Sequence, residues 1–423
     1  MPGSNRRQAG PLAQILSFRI IPERKMPSSA LPQCLDKATE FVLIIVMHRL
    51  TSILGSKRKI VLKIGTTLLA DKVRGINASR IEELSSSVSA LLDVGYSIVI
   101  VSSGAIGAGV GALGLKERPR SIPGKQAAAA IGQPILMESY ERAFRLRRRI
   151  IAQILLTRDD LVTRARYINI RNTFSALFDQ GVVPIVNEND SVAVDEIKLG
   201  DNDNLAAFVA NLIEAGLLII LSDVDGLFTE DPAKNPSARI IPIVERITPQ
   251  VEKLAGGGRN ELGTGGMVTK IAAAKRCTSS GIPVIITNGT HPNVIEEIVA
   301  GRPAGTLFLP RTDRLSVRKK WIGFVSDSHG AVVVDEGARG AVLKGQKSLL
   351  PSGIMEVRGQ FAVHDTISVL DGSGKEIAKG VTDFSSAELQ RIKGRRTEEI
   401  PRILSRKGSE VINRNNLVLT GIE

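Results

Sequence analysis

Cysteine is nearly absent from this chain of 423 residues: Cys34 and Cys277 are its two, and they lie far apart. That excludes a disulfide framework and any cysteine metal-ligand spacing, and leaves two free thiols suited to a reducing compartment, the cytoplasm. The four histidines, His48, His291, His329 and His364, are scattered, so no zinc cluster and no Ser–His or Cys–His pair stands out. Aromatics are equally scarce, with 11 Phe, 3 Tyr and 1 Trp, and a reader of nucleic acid by base stacking would carry more. The apolar run Phe41–Met47 has seven residues, against the ~20 needed to cross a bilayer. With 43% hydrophobic and 23% charged residues, the main body is neither disordered, collagenous nor membrane-embedded. The length predicts two or three domains.

The net charge of +13 sits mostly at the ends. Residues 1–56 carry seven Lys/Arg against three Asp/Glu, and residues 311–423 carry 19 against 14. Basic ends can meet nucleic acid or an acidic partner, or can simply be solvated. Pro2, Pro11, Pro22, Pro27 and Pro32 interrupt the first segment. It fits neither a secretory signal nor a targeting peptide well, so residues 1–56 read as a disordered or non-native extension, with Met47 an alternative start.

From Lys57 onward short apolar runs alternate with helical stretches. The runs Ile60–Ile64, Ser97–Val101, Ile150–Leu156, Val182–Val186, Leu217–Leu221 and Pro283–Thr287 predict strands buried on both faces of a mostly parallel sheet. The stretches Asn77–Val94, Ser121–Leu146, Thr163–Gln180, Leu205–Ala215, Gly266–Ser280 and Pro292–Ala300 predict the helices around it, an α/β fold. Ligands of such sheets bind beyond the carboxyl ends of the strands. A boundary follows Thr306–Pro310. Later, Ala331–Val334, Ile354–Val357, Thr366–Leu370 and Glu376–Gly380 alternate with glycine turns, as in a small mostly-β barrel. The expected division is 1–56 extension, 57–310 α/β domain, 311–325 linker, 326–410 β module and 411–423 tail.

Five segments fall where chemistry is expected. Lys63 ends the first strand two residues before Gly65, a place from which an ammonium can meet a phosphate, yet the segment fails the Walker A spacing. Ser102-Ser103-Gly104-Ala105-Ile106-Gly107-Ala108-Gly109 follows the second strand; its glycines suit either close backbone approach to an anion or tight packing, and they miss the dinucleotide spacing. Asn187-Glu188-Asn189-Asp190 and Gly200-Asp201-Asn202-Asp203-Asn204 concentrate more Asx and Glx side chains than two helix caps need. The excess points to recognition of an amino or carboxylate group, or to a metal–phosphate site. Ser222-Asp223-Val224-Asp225-Gly226 closes a strand or orders a nucleotide. In Gly263-Thr264-Gly265-Gly266-Met267-Val268-Thr269-Lys270, the lysine sits in the first turns of a helix, where positive charge is unfavourable unless an anion neutralises it.

Together these segments, in this order, resemble the amino acid kinase family, and within it the branch that phosphorylates glutamate; the region after residue 326 resembles a PUA domain. The resemblance implies transfer of the ATP γ-phosphoryl group, with Mg2+, to the side-chain carboxylate of L-glutamate, giving L-glutamyl 5-phosphate for proline synthesis. It implies that Lys63 and Lys270 contact phosphates and that Asp203 orients them. Ser103, Asp190 and Asn202 would hold glutamate, with Asn187 and Asp201 close by. Lys63, Ser222 and Asp223, with Thr264, Gly265, Gly266, Met267, Val268, Thr269 and Lys270, would hold ATP. No residue is assigned to a metal. A homo-oligomer and feedback inhibition by proline are further expectations, with no membrane partner. Competing readings are a kinase for N-acetylglutamate or aspartate, and an RNA-binding role for the PUA-like module, which the scarcity of aromatics disfavours. A carboxylate acceptor is already ionised near neutral pH, so the reaction needs positioning and charge stabilisation rather than a protein nucleophile or base.

Overall fold

A run of six residues, Lys59–Ile64, begins the first sheet, and five of the six are buried. In the computed structural model, which describes residues 50–51, 54–69, 75–192, 202–256, 266–302, 304–310, 328–343, 347–404 and 410–420, this strand (β1) is central. It pairs in parallel with β2 (Ser97–Ser102) on one side and β5 (Leu217–Ser222) on the other. Outward from β2 lie β4 (Val183–Glu188) and β3 (Ile151–Leu156), and outward from β5 lie β7 (Val284–Asn288), β8 (Thr306–Phe308) and β6 (Ile243–Val244). Only β7 and β8 run antiparallel, so the sheet is mostly parallel, as the apolar runs predict. The inner strands are buried along nearly their whole length, while the edge strand β3 leaves Gln153 exposed.

The helices follow the sequence closely. Asn77 caps α1 (Ala78–Asp93), its side chain accepting from the Arg80 N–H at 3.1 Å. An unexpected helix, α2 (Ala105–Ala112), follows β2. Its glycines are needed for contact: a Cβ on Gly109 would lie 1.8 Å from the Ala128 carbonyl oxygen of α3 (Ile122–Arg145), and one on Gly132 would lie 1.8 Å from the Ala105 oxygen. Helix α3 buries Leu136, Tyr140, Ala143 and Phe144 on one stripe; fully burying a side chain such as Leu136 or Phe144 contributes about 1.5–3 kcal/mol. Then come α4 (Arg164–Asp179), α5 (Asn202–Leu212), α6 (Met267–Ser279) and α7 (Val294–Val299). Helix α5 starts at Asn202, three residues before the predicted Leu205.

The core begins earlier than the expected boundary at 57. Leu50 and Leu54, spaced one helical turn apart, are 2% and 0% exposed and join the cluster of Ile60, Leu62 and Ile64. Residues 1–49, which hold most of the expected extension and Cys34, lie outside the described residues, as does the whole of the expected linker. Cys277 is a buried free thiol. Among the described residues no helix is long and apolar enough to cross a membrane.

The second unit is built on a five-stranded sheet in the order β10 (Ile354–Gly359), β9 (Gly330–Val334), β11 (Thr366–Leu370), β12 (Glu376–Val381), β13 (Leu417–Leu419). Helices α8 (Glu336–Leu343) and α9 (Ser386–Ile392) accompany it, the latter opened by a Ser385–Glu388 capping box. The expected tail from 411 is part of this unit rather than an appendage. Val411 and Ile412 are fully buried in its core, and β13 pairs antiparallel with β12.

Candidate active site

The carboxyl ends of β4, β2, β1, β5 and β7 lie side by side, and most of the polar segments singled out in the sequence converge there. At β1, Lys63 reaches Asp203 in the first turn of α5, with Nζ 2.6 Å from Oδ1. From the first turn of α6, Lys270 reaches the same carboxylate, with Nζ 3.2 Å from Oδ2. The Thr269 hydroxyl lies 2.9 Å from Asp203 Oδ2 and 2.7 Å from the Gly266 carbonyl. All three ionic side chains are buried: Lys63 and Lys270 are 5% and 4% exposed, Asp203 not at all. Burial alone would raise the Asp203 pKa, but the two ammonium groups and the Thr269 hydrogen bond outweigh it and hold the carboxyl below its usual range. The misplaced positive charge of Lys270 is therefore neutralised inside the protein. Two ammonium groups brought to one place at the strand ends suit an incoming phosphate.

Toward β2 and β4 the chemistry changes to neutral amides and hydroxyls. Asn202 Nδ2 donates to the Ser102 carbonyl at 3.0 Å, to Ser103 Oγ at 2.7 Å and to Asn187 Oδ1 at 3.1 Å. Asn187 Nδ2 in turn donates to Gln133 Oε1 of α3 at 3.0 Å. The Ser102 hydroxyl shares a 2.9 Å hydrogen bond with Tyr140, also of α3. Complete burial pushes the Tyr140 phenol far above its ordinary pKa, with the Ser102 bond pulling the other way, so it stays a neutral partner. Gly104 has φ 114° and turns the chain into α2 directly after Ser103.

On the other side, Ser222 is buried at the end of β5 and its hydroxyl donates to Asp223 Oδ1 at 3.1 Å, while Asp223 is exposed. Asp225 accepts from Asn288 Nδ2 at 2.9 Å and faces His291 Nε2 at 3.3 Å. The Gly65 N–H donates to the Leu221 carbonyl at 3.0 Å, tying β1 to β5.

Of the predicted site residues, the structure thus brings together Lys63, Asp203, Lys270 and Thr269 in one cluster, and Ser103, Asn187 and Asn202 in another. Asp190 is half-buried in the turn after β4. Gly266, Met267 and Val268 start α6, with Val268 exposed. Asp201, Thr264 and Gly265 lie outside the described residues. Sequence reasoning missed Gln133, Tyr140 and Asn288. For Gln133 a signal existed: it is a polar residue on the same stripe of α3 as Leu136 and Tyr140, where only apolar side chains belong unless a partner waits.

An eight-stranded mostly parallel sheet carrying a buried Lys–Asp–Lys cluster beside an amide pocket is the arrangement of a phosphotransferase. Residues 58–288 match the amino acid kinase family and residues 330–404 match the PUA domain; the chain belongs to the amino acid kinase family. It is 47% identical over 369 residues to the glutamate 5-kinase of Moorella thermoacetica, covering 87% of this chain and 98% of that protein. The glutamate 5-kinase of Syntrophotalea carbinolica is 48% identical over 368 residues, covering 87% and 98%. That of Caldanaerobacter subterraneus is 49% identical over 362 residues, covering 85% and 97%. Among solved structures, carbamate kinase from Giardia lamblia bound to AMP-PNP is 17% identical with a TM-score of 0.44, covering 61% of this chain and all of that one.

Proposed function

We propose that this chain transfers the γ-phosphoryl group of ATP to the side-chain carboxylate of L-glutamate, giving L-glutamyl 5-phosphate and ADP, the first step of proline biosynthesis. The observation that carries the reading is the buried Lys63–Asp203–Lys270 cluster, with its two convergent ammonium groups, next to the uncharged cluster of Ser103, Asn187 and Asn202. The glutamate carboxylate attacks phosphorus as it stands, already ionised. Lys63 and Lys270 offset the negative charge on the transferring group, and Asp203 holds both ammonium groups in place before substrate arrives. Ser103, Asp190, Asn202, Asn187 and Asp201 grip the amino-acid end. Ser222, Asp223 and the segment Thr264–Lys270 hold the nucleotide.

Mg2+ fits this site as a companion of ATP rather than as a resident of a protein cage. Among the described residues no group of three or more His, Cys, Asp or Glu side chains converges, and Asp203 is occupied by lysines. Mg2+ is commonly held by substrate phosphates and water, and bound with ATP it would supply neutralisation of phosphate charge. Cytoplasmic location, a homo-oligomer and inhibition by proline belong to the same reading. They rest on the family resemblance, not on a contact within the described residues.

The deciding assay measures ADP release against glutamate, N-acetylglutamate and aspartate, with Mg2+ and with the metal chelated. Glutamate should be the preferred acceptor, and turnover should need Mg2+. A preference for N-acetylglutamate or aspartate, or ADP release independent of any acceptor, overturns the reading.

A further inference from the structure

Two backbone groups whose roles cannot be exchanged fix the polarity of the amide cluster. The Glu188 N–H can only donate, and it lies 2.9 Å from Asn187 Oδ1; Asn187 Nδ2 is therefore the donor toward Gln133. The Ser102 carbonyl can only accept, and it lies 3.0 Å from Asn202 Nδ2. Asn202 Nδ2 spreads its two N–H groups over three acceptors and has none left. Asn202 thus offers a ligand only its Oδ1, not either half of its amide as the sequence allows. Ser103, having accepted from Asn202, keeps its own proton to donate. Gln133, having accepted through Oε1, keeps its Nε2 amide group. That group makes no hydrogen bond, although the side chain is only 8% exposed. Nε2 keeps contact with solvent at the edge of the cluster, a free donor that a ligand there can engage.

We propose that Gln133 binds the amino-acid substrate directly, donating from Nε2 to its α-carboxylate. The proposal rests on the reading of this edge as the glutamate pocket. Ser103 supplies a second donor to that carboxylate, and Asn202 Oδ1 accepts from the α-ammonium. The sheet order supports the direction. Asn187 is the last residue but one of β4, two strands from β1 and Lys63, roughly 10 Å at the usual strand spacing. That separation matches a glutamate whose reacting carboxylate faces the lysines and whose α-carboxylate lies at Gln133. Donors alone face one end of the substrate and an acceptor the other, so the pocket reads an α-amino acid rather than any carboxylate.

Two variants separate binding from bracing. Gln133→Glu keeps an oxygen for Asn187 Nδ2 and replaces only the donor; Gln133→Met removes both. The readouts are kcat/KM for glutamate and for 4-aminobutyrate, which lacks the α-carboxylate, with melting temperature and KM for ATP alongside. A site that hydrogen-bonds a substrate group discriminates strongly against the analogue without it. Both variants should raise the glutamate KM about tenfold or more and narrow the preference over 4-aminobutyrate by the same factor, leaving KM for ATP unchanged. If both keep the wild-type glutamate KM and preference, or if only the melting temperature of Gln133→Met falls, Gln133 merely braces Asn187 and the proposal is wrong. Should wild-type protein prefer N-acetylglutamate or aspartate, the functional reading fails instead. Both carry an α-carboxylate, so the same variants measured on them still decide the role of Gln133.

Discussion

At the carboxyl end of β1 two ammonium groups share one buried carboxylate; two strands away, at the end of β4, amides and hydroxyls share hydrogen bonds and carry no charge. The charged cluster is buried while Ser103 and Asn202 of the neutral one are half-buried, and the two are held by different physics. The charged cluster depends on the count of charges, because an unpaired ion in such a place is strongly unfavourable. The neutral cluster depends on direction, because each amide must face its donor to an acceptor and its acceptor to a donor. A phosphoryl group with delocalised charge suits the first, and an amino acid with two distinct polar groups suits the second.

The contrast breaks first under loss of Asp203. Asp203→Ala removes the carboxylate that the buried Lys63 and Lys270 share and should cost about 3–5 kcal/mol of stability. Asn202→Ala strands only neutral partners and should cost about 1–3 kcal/mol. Thermal melts of the two purified variants rank them; the reverse order would mean that the charges are not what holds this edge.

A smaller effect tests the turn after β4. If Asp190 meets the substrate ammonium, Asp190→Ala loses about 2–5 kcal/mol of binding, so the glutamate KM rises at least about tenfold while the ATP KM stays put. A variant that only melts earlier, with both constants unmoved, would make Asp190 a cap.

The smallest effect is a matter of pH. The depressed Asp203 pKa stabilises the fold above the unfolded-state value near ~4, and this contribution fades as pH falls through the lower folded-state pKa. The gap in melting temperature between wild type and Asp203→Asn should therefore be full at neutral pH and shrink below about pH 4. The gap for Asn202→Ala, whose partners do not titrate, should stay flat. A flat gap for Asp203→Asn would remove the claim that its carboxylate is ionised for the sake of the lysines.

Legibility in the sequence follows the same divide. Lys270 in a first helical turn is conspicuous because local rules disfavour a lysine there, whereas Lys63 at a strand end is a weak signal by itself. The acidic loop before α5 announces itself by composition, although it does not say which of its members pairs with both lysines. Gln133 announces itself only as a polar residue on the apolar stripe of an alanine-rich helix, and its partner Asn187 is 54 residues away. Helix α2 escaped because Gly107, Gly109 and Gly111 count against a helix; only the approach of α3 shows why Gly109 is needed. Leu50 and Leu54 were lost among prolines and charges that lie before them, and the last strand, Leu417–Leu419, is too short to carry an alternation of its own.

The division of the edge is tested most directly by full steady-state constants for Lys270→Ala beside those for Asn202→Ala. Losing one preorganised stabiliser of transition-state charge should lower kcat of Lys270→Ala at least ~100-fold, with the glutamate KM little changed. Asn202→Ala should instead raise the glutamate KM and leave the ATP KM alone. If Lys270→Ala keeps a near-normal kcat and only its ATP KM rises, or if both variants shift the same constant, the two clusters do not divide the work and the account is contradicted.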